Sequence, residues 1–288
     1  MKFFLPFATI FLFSFIPQEK NYNFSKPDSY YILPDTLHEI SGLTDIDDGR
    51  IGCVQDEKGM VFVYNLYQSR IESRHTFYLD GDYEGITLVK DDMYVLRSNG
   101  TLFCIRNFFG DTQKVDSFQT NIQNINNEGL CYHAKRKTLL IASKSRINRQ
   151  PEQKDKRYIY EFDIKTNKTM DEPFLVLDVN DIEVEMSKRN ISLGERQKKT
   201  GESIDKRLKF MPSSIAVHPV NGYYYIISAV DFLMIAVDDK GEIKDMVKFD
   251  EALFPKPEGL TFFTNGDMFI SNEGKDKKPN LLRFNYSR

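Results

Sequence analysis

The sequence has few of the residues on which metal sites and common catalytic motifs depend. Its 288 residues include no Trp, three Cys and four His. The His residues form no HExxH motif and no paired spacing, and the chain has no Gly-x-Ser-x-Gly elbow, phosphate-binding loop or dinucleotide fingerprint. A zinc site and these enzyme families are therefore not expected.

The three cysteines, Cys53, Cys104 and Cys131, each lie in a short apolar run. An odd number of cysteines on three different predicted strands gives no disulfide framework. Buried thiols of this kind behave as small hydrophobic residues. We therefore expect three free thiols in the core.

The sequence also lacks an apolar run long enough to cross a membrane. The longest, residues 3–16, would reach about 21 Å as a helix, against about 30 Å for the hydrocarbon core. Lys2 precedes it and Pro17 follows it, which is typical of a signal peptide. We therefore predict a signal peptide or short N-terminal anchor over residues 1–20. Residues 21–288 are predicted to form one domain, exported to the periplasm or cell envelope and peripheral or anchored at its N-terminus if it meets the membrane. The net charge of −3 argues against a nucleic-acid partner.

What the sequence does contain is a short step that recurs five times. In each copy a glutamate or serine is followed by a small residue and then by an aliphatic residue that opens an apolar run. The copies are Ser41-Gly42-Leu43, Glu84-Gly85-Ile86, Glu128-Gly129-Leu130, Ser213-Ser214-Ile215 and Glu258-Gly259-Leu260. They are spaced by about 44 residues, except for one interval of about twice that length. A repeat of this length built from short strands is typical of a β-propeller blade.

The repeat predicts an all-β fold, a five-bladed β-propeller with a helical, charged insertion at residues 179–210 between blades three and four. The fifth blade offers only three strands, and residues 30–33 form a spare strand at the other end of the chain. Pairing the two closes the ring and removes an exposed sheet edge. Six blades would need a further unit within residues 165–212, where only residues 174–178 resemble a strand, so five are preferred.

The first strand of each propeller blade lines the central channel, so the repeated steps should converge there. The predicted ligand-binding residues of this face are Ser41, Glu84, Arg97, Glu128, Lys144, Ser213 and Glu258. Carboxylates crowded together repel each other unless a positive or protonated group lies among them. A calcium ion, which takes six to eight oxygen ligands, would answer that need. Its candidate ligands are Glu39, Glu84, Glu128, Glu258, Asn272 and Glu273.

Two other interpretations of the glutamates remain open at this point. In the first, they accept hydrogen bonds from the next blade and simply hold blades together. In the second, they act in acid–base catalysis. Lysines and arginines in the insertion and in neighbouring loops predict a basic rim on the same face. Such a rim either holds an anion or keeps these loops solvated.

The motifs as a set resemble the SdiA-regulated (YjiK-like) family of bacterial envelope propellers. The residues that carry the resemblance are Glu39-Ile40-Ser41-Gly42-Leu43, Tyr83-Glu84-Gly85-Ile86, Asn127-Glu128-Gly129-Leu130, residues 212–219, Pro257-Glu258-Gly259-Leu260 and Ser271-Asn272-Glu273-Gly274. More distantly, the chain is similar to esterase-like and phytase-like calcium propellers. The resemblance implies an envelope propeller, often with a membrane-associated N-terminus and without a settled activity. Glu84, Glu128 and Glu258 match the acidic position, whereas Ser41 and Ser213 depart from it.

The function expected from the sequence is that of a non-enzymatic cell-envelope propeller. Its channel face, loaded with calcium or free of it, would bind a small ligand or an envelope protein. One alternative is a calcium-dependent hydrolase of phosphate or carboxylic esters. The other is a structural scaffold that docks partners through the insertion.

Overall fold

The computed structural model describes residues 21–124, 126–145, 153–197 and 203–287. The predicted signal peptide or anchor, residues 1–20, lies outside these ranges. Five sheets form the five blades of a β-propeller, as the repeat predicted. None of the helices in the described ranges has the length and apolar character needed to cross a membrane.

The first two blades have four antiparallel strands each. A lone strand, β1 (Ser29–Ile32), and a single 3₁₀ turn (Asp35–Leu37) precede them. Blade one contains β2 (Ile40–Asp47), β3 (Arg50–Gln55), β4 (Met60–Asn65) and β5 (Arg70–Thr76). Blade two contains β6 (Tyr83–Val89), β7 (Asp92–Arg97), β8 (Thr101–Arg106) and β9 (Lys114–Gln119).

Blade three differs in having an outer strand that is divided in two. It contains β10 (Asn127–His133), β11 (Thr138–Ser143), β12 (Lys156–Asp163), β13 (Lys168–Thr169) and β14 (Leu175–Asp178). Both β13 and β14 pair with β12. The insertion follows, with helix α1 (Val179–Lys188) and the strands β15 (Glu195–Gln197) and β16 (Ser203–Asp205).

The last two blades return to the regular plan. Blade four contains β17 (Ser214–Val217), β18 (Tyr224–Ser228), β19 (Leu233–Val237) and β20 (Ile243–Lys248). Blade five contains β21 (Pro257–Phe262), β22 (Met268–Asn272) and β23 (Asn280–Phe284), with β1 as its outer strand. Ser29 lies opposite Arg283 and Ile32 opposite Asn280. The predicted closure of the ring by the N-terminal strand is therefore confirmed.

The insertion is helical only in its first part. The Asp178 side chain caps α1 by accepting a 2.9 Å hydrogen bond from the Asn180 amide. Ile182 and Met186 are buried against the core of blades three and four. Asn190, at φ +55°, ends the helical run. The residues after it form the β15–β16 hairpin instead of a further helix.

The repeated glycine is explained by a close approach between neighbouring inner strands. A Cβ atom at these positions would lie 3.0 Å or less from backbone atoms of the next blade. The distances from the added Cβ atom to the nearest of these backbone atoms are as follows: 2.9 Å from Gly42 to the Glu84 oxygen, 2.9 Å from Gly85 to the Leu130 nitrogen, 2.9 Å from Gly129 to the Ile215 nitrogen and 2.8 Å from Gly259 to the Ser41 oxygen. A larger residue would therefore push adjacent blades apart.

A second contact between blades lies two residues after the glycine and was not predicted. The side chain at this position accepts a hydrogen bond from an amide of the next inner strand. The amides of Leu88, Tyr132 and Asp45 donate to Thr44 (3.1 Å), Thr87 (3.0 Å) and Thr261 (3.2 Å) respectively. In blade three the thiol of Cys131 takes this place beside the Val217 amide.

The hydrophobic core is divided among the spaces between adjacent blades. Val63 of blade one, for example, packs in the same cluster as Phe103 of blade two. Cys53, Cys104 and Cys131 are all buried and free, in agreement with the prediction of core thiols.

Candidate functional site

The glutamates of the repeat lie in β-bulges of three inner strands. Tyr83 pairs with Arg97 and Gly85 with Leu96, so that Glu84 between them has no partner in the ladder. Glu128 and Glu258 lie at the same kind of interruption in blades three and five. A bulge frees one residue from the ladder and redirects its side chain. The bulges therefore explain why these three carboxyl groups point away from their sheets.

The three glutamates meet at one end of the channel around Lys144. The Lys144 Nζ atom lies 3.1 Å from Glu128 Oε2. Lys144 also interacts electrostatically with Glu84 and Glu258. The structure thus brings together four of the seven predicted ligand-binding residues.

A second lysine, Lys256, belongs to the same group and was not predicted. Its Nζ atom lies 2.5 Å from Glu273 Oε2 and 3.4 Å from Glu258 Oε1. Its position two residues before Glu258 was the signal in the sequence that should have identified it. We call the group of Glu84, Glu128, Lys144, Lys256, Glu258 and Glu273 the channel mouth.

Burial controls the protonation of the channel mouth. It raises the pKa of Glu84, and the nearby charges of Glu128 and Asp82 add to that rise. Burial raises the pKa of Glu258 to about 7. It also raises the pKa of Glu128, although Lys144 opposes this effect. These carboxyl groups therefore hold protons at pH values where an exposed glutamate is ionised.

The two lysines stay charged despite their partial burial. Burial alone would lower the pKa of Lys144, but Glu128 and Glu258 outweigh it and raise the pKa above its usual range. The same balance raises the pKa of Lys256, with Glu273 as the largest opposing partner. The channel mouth thus combines permanent ammonium groups with carboxyl groups that titrate.

Three residues of blades five and one lie beside the mouth and include two of the predicted calcium ligands. Burial raises the pKa of Asp56 to about 7, and the charges of Glu39 and Glu273 contribute. Asp56 Oδ1 is buried and has no hydrogen-bond partner among the described residues. Asn272 is fully buried and donates a 2.9 Å hydrogen bond to Asn280 Oδ1. Glu39 and Asn272 therefore lie at the edge of the site, whereas Glu273 belongs to it.

The serine copies of the repeat have a different role. The Ser213 hydroxyl donates to the backbone oxygen of Pro257 in blade five at 3.2 Å. The Ser41 hydroxyl donates to the Glu39 oxygen at 3.3 Å. Arg97, the remaining predicted ligand-binding residue, lies 5.9 Å from the centroid of the Tyr83 ring. The serines therefore bond to backbone, whereas Glu128 and Glu258 pair with lysines.

The charge balance of the channel mouth does not decide whether it can hold a metal ion. Over residues 21–124, 126–145, 153–197 and 203–287, no three His, Cys, Asp or Glu side chains are arranged to hold a metal ion. The positive charge found among the mouth carboxyl groups belongs to Lys144 and Lys256. Calcium binding stays a prediction that a titration must test.

The channel interior contains a small cavity of about 190 Å³ lined by all five inner strands. Thr44, Thr87 and Thr261 contribute to its wall, together with Asp45. Burial raises the pKa of Asp45. The polar side chains of this interior were not predicted from the sequence.

Comparison with known proteins supports the fold and leaves the family open. No family model matches the chain, and no curated protein matches it. Among solved structures, a glutaminyl cyclase from Myxococcus xanthus is 12% identical, with a TM-score of 0.58 over 91% of this chain and 97% of that chain. A streptogramin B lyase is 11% identical, with a TM-score of 0.49 over 90% of this chain and 97% of that one. The likeness to the glutaminyl cyclase, a β-propeller protein, is consistent with a propeller fold, and such low identity shows the fold alone.

Proposed function

We propose that the channel mouth binds a cationic ligand and that the protein is a non-enzymatic propeller of the cell envelope. The observation that carries the proposal is the excess of carboxyl groups over ammonium groups. The mouth has four glutamates and two lysines, and Asp56 lies beside them. When all of these carboxyl groups are ionised, the two lysines do not balance them, and a cation is the partner that the group then lacks.

The protonation of the mouth makes this proposal specific. Glu84 and Glu258 hold protons more strongly than exposed glutamates because burial disfavours their ionised forms. A cation bound between them would favour ionisation. Binding near neutral pH should therefore release protons into solution.

The experiment is calorimetric titration of the full chain with calcium chloride and, separately, with putrescine. Runs in two buffers of different ionisation enthalpy measure the protons released. We expect one probe to bind with proton release, and the double variant Glu84→Gln, Glu258→Gln to weaken that binding about tenfold or more. Glu172→Gln, an exposed glutamate outside the mouth, is the matched control. Failure of both probes to bind, or equal binding by the double variant, contradicts the proposal. A calcium response with no putrescine response identifies a metal site.

We propose the location in the cell envelope because residues 1–20 are predicted to be a signal peptide or anchor. We also propose how the propeller is oriented relative to the membrane. The Tyr22 hydroxyl donates a 2.5 Å hydrogen bond to the Gly266 oxygen and lies 2.6 Å from His218 Nε2. Gly266 lies in the turn after β21, at the end of that strand remote from Glu258. An uncleaved anchor would thus place the mouth away from the membrane. Cell fractionation should find the protein in the envelope, and deletion of residues 1–20 should leave it in the cytoplasm.

One observation favours a hydrolase as the second candidate. The pKa of Glu258, about 7, suits a group that accepts and donates a proton near neutral pH, and Lys256 beside it offers a charge to an anionic intermediate. Nitrophenyl phosphate and nitrophenyl acetate, each tested with calcium and with a chelator, would reveal such an activity. Turnover that disappears in Glu258→Gln supports the hydrolase, and turnover that survives it points to a contaminant.

A further inference from the structure

A second cavity, separate from the channel mouth, lies between the insertion and blade four. Its volume is about 360 Å³, within the range of sites that enclose small organic ligands. Its apolar lining residues, here called the floor, are Leu193, Val230 and Phe232. Four cationic residues also line it: Lys206, Arg207, Lys209 and Lys248. We call this cavity the insertion pocket.

The positive charge of the insertion pocket is only partly balanced. Arg207 is paired with Asp155, which lies outside the pocket lining, at 3.6 Å. Asp231 already accepts hydrogen bonds from the Ser228 hydroxyl (2.6 Å) and the Lys209 amide (3.2 Å). Glu251 is shared by Lys248 at 3.7 Å and Lys206 at 3.9 Å, which are distances beyond a hydrogen bond. Burial lowers the pKa of Lys248, although Glu251 opposes this, and Lys206 lowers it further. The pocket therefore has room for an anion among its lysines.

The backbone of one lining residue of the insertion pocket, Phe232, is strained. Phe232 has a φ of +51°, which bulky residues rarely adopt. The Phe249 amide donates to the Phe232 backbone oxygen at 2.7 Å and fixes this conformation. Strained residues persist where their surroundings fix them, and they are frequent at ligand sites.

The aromatic ring in the floor lies among the cations. Lys248 Nζ is 4.9 Å and Lys275 Nζ 6.0 Å from the centroid of the Phe232 ring. An apolar surface beside ammonium groups matches a molecule with an apolar body and one anionic group. We propose that the insertion pocket binds a small organic anion, a carboxylate, sulfonate or phosphate ester carrying an apolar group. This site is opposite in charge to the channel mouth and does not depend on it.

The test is calorimetric titration of the full chain with three probes: naphthalenesulfonate, inorganic sulfate and the neutral naphthalenemethanol. We expect naphthalenesulfonate to bind with one-to-one stoichiometry and at least about tenfold more tightly than either other probe. Lys248→Gln should weaken it about tenfold because one charge-assisted contact is lost. Lys240→Gln, an exposed lysine in a turn of blade four, is the matched control and should bind as the wild type does.

A second variant protects the test against a folding defect. Val230 is 46% exposed, so Val230→Asp should fold normally while placing a negative charge in the floor and abolishing binding. Glu84→Gln should leave naphthalenesulfonate binding unchanged, which separates this pocket from the channel mouth. Equal binding of sulfate, equal binding of naphthalenemethanol, or loss of affinity in Lys240→Gln as large as that in Lys248→Gln would overturn the proposal.

Discussion

Blades two, three and five differ from blades one and four at the same step of the repeat. In the first group a glutamate lies in a bulge, where Glu128 and Glu258 pair with lysines. In the second group a serine bonds to backbone, and Ser213 reaches across to blade five. The glycine contacts and the threonine hydrogen bonds occur in blades of both groups, although blade four has Ser214 and Ala216 at these two positions. The ring is therefore built by the small residues and the threonines, which leaves the glutamates available for a ligand.

The sharpest test of the contact between blades is Gly85→Ala. The new Cβ atom would lie 2.5 Å from Leu130 Cβ and 2.9 Å from the Leu130 nitrogen. We expect a loss of about 1–3 kcal/mol in the free energy of unfolding, measured by urea denaturation, because the inner strands must separate. Ser214→Ala is the control, since blade four already carries a Cβ atom at this position. Equal losses in the two variants would show that close approach is not the reason for glycine.

A smaller effect is expected where a serine does connect blades. Ser213→Ala removes the hydroxyl that donates to the Pro257 oxygen. Loss of one buried hydrogen bond should lower the free energy of unfolding by about 1 kcal/mol. Ser41→Ala, whose bond stays within blade one, should cost less. If Ser213→Ala leaves the free energy of unfolding unchanged, the serine copy does not connect blades and does not differ in this way from the glutamate copies.

The pH dependence of stability is a further difference between the glutamate copies and the serine copies of the repeat. Because the pKa of Glu258 is raised from 4.5 to about 7 in the folded protein, the folded state binds more protons than the unfolded state within this range. Its contribution to the free energy of unfolding is therefore greatest at low pH and falls as pH rises from about 4.5 to about 7. We expect the wild type to lose stability relative to Glu258→Gln across this window, measured by urea denaturation at several pH values.

Other groups that titrate in the same window are common to both proteins. Burial lowers the pKa of His218 to about 4, so the contribution of His218 to the free energy of unfolding is lost as pH falls. This effect is the same in the wild type and in Glu258→Gln and cancels in the difference between their stability curves. The charges that face Glu258 are those of Lys256, Lys144, Glu273 and Glu128. Glu172→Gln should give a curve parallel to the wild type. A parallel curve for Glu258→Gln as well would mean that this carboxyl group is not shielded from solvent.

The five blades, the closure by β1 and the convergence of Glu84, Glu128 and Glu258 were predictable because they follow from the spacing of the repeat. The spacing of two residues between Lys256 and Glu258 was a signal in the sequence, but Lys256 was missed because the contact itself depends on the bulge in β21. The Thr44, Thr87 and Thr261 contacts were missed because they join residues of different blades. The β15–β16 hairpin was missed because its two three-residue strands carry no extended alternation.

The central claim is that the mouth glutamates do not hold the propeller together. It is tested most directly by the free energy of unfolding of Glu84→Gln, Glu258→Gln at pH 7.5, measured by urea denaturation beside the wild type. Burial disfavours the ionised forms of both residues, so the account predicts an unchanged or increased free energy of unfolding. A loss of about 2 kcal/mol or more would show that these carboxyl groups make structural bonds that the fold requires, and would contradict the account.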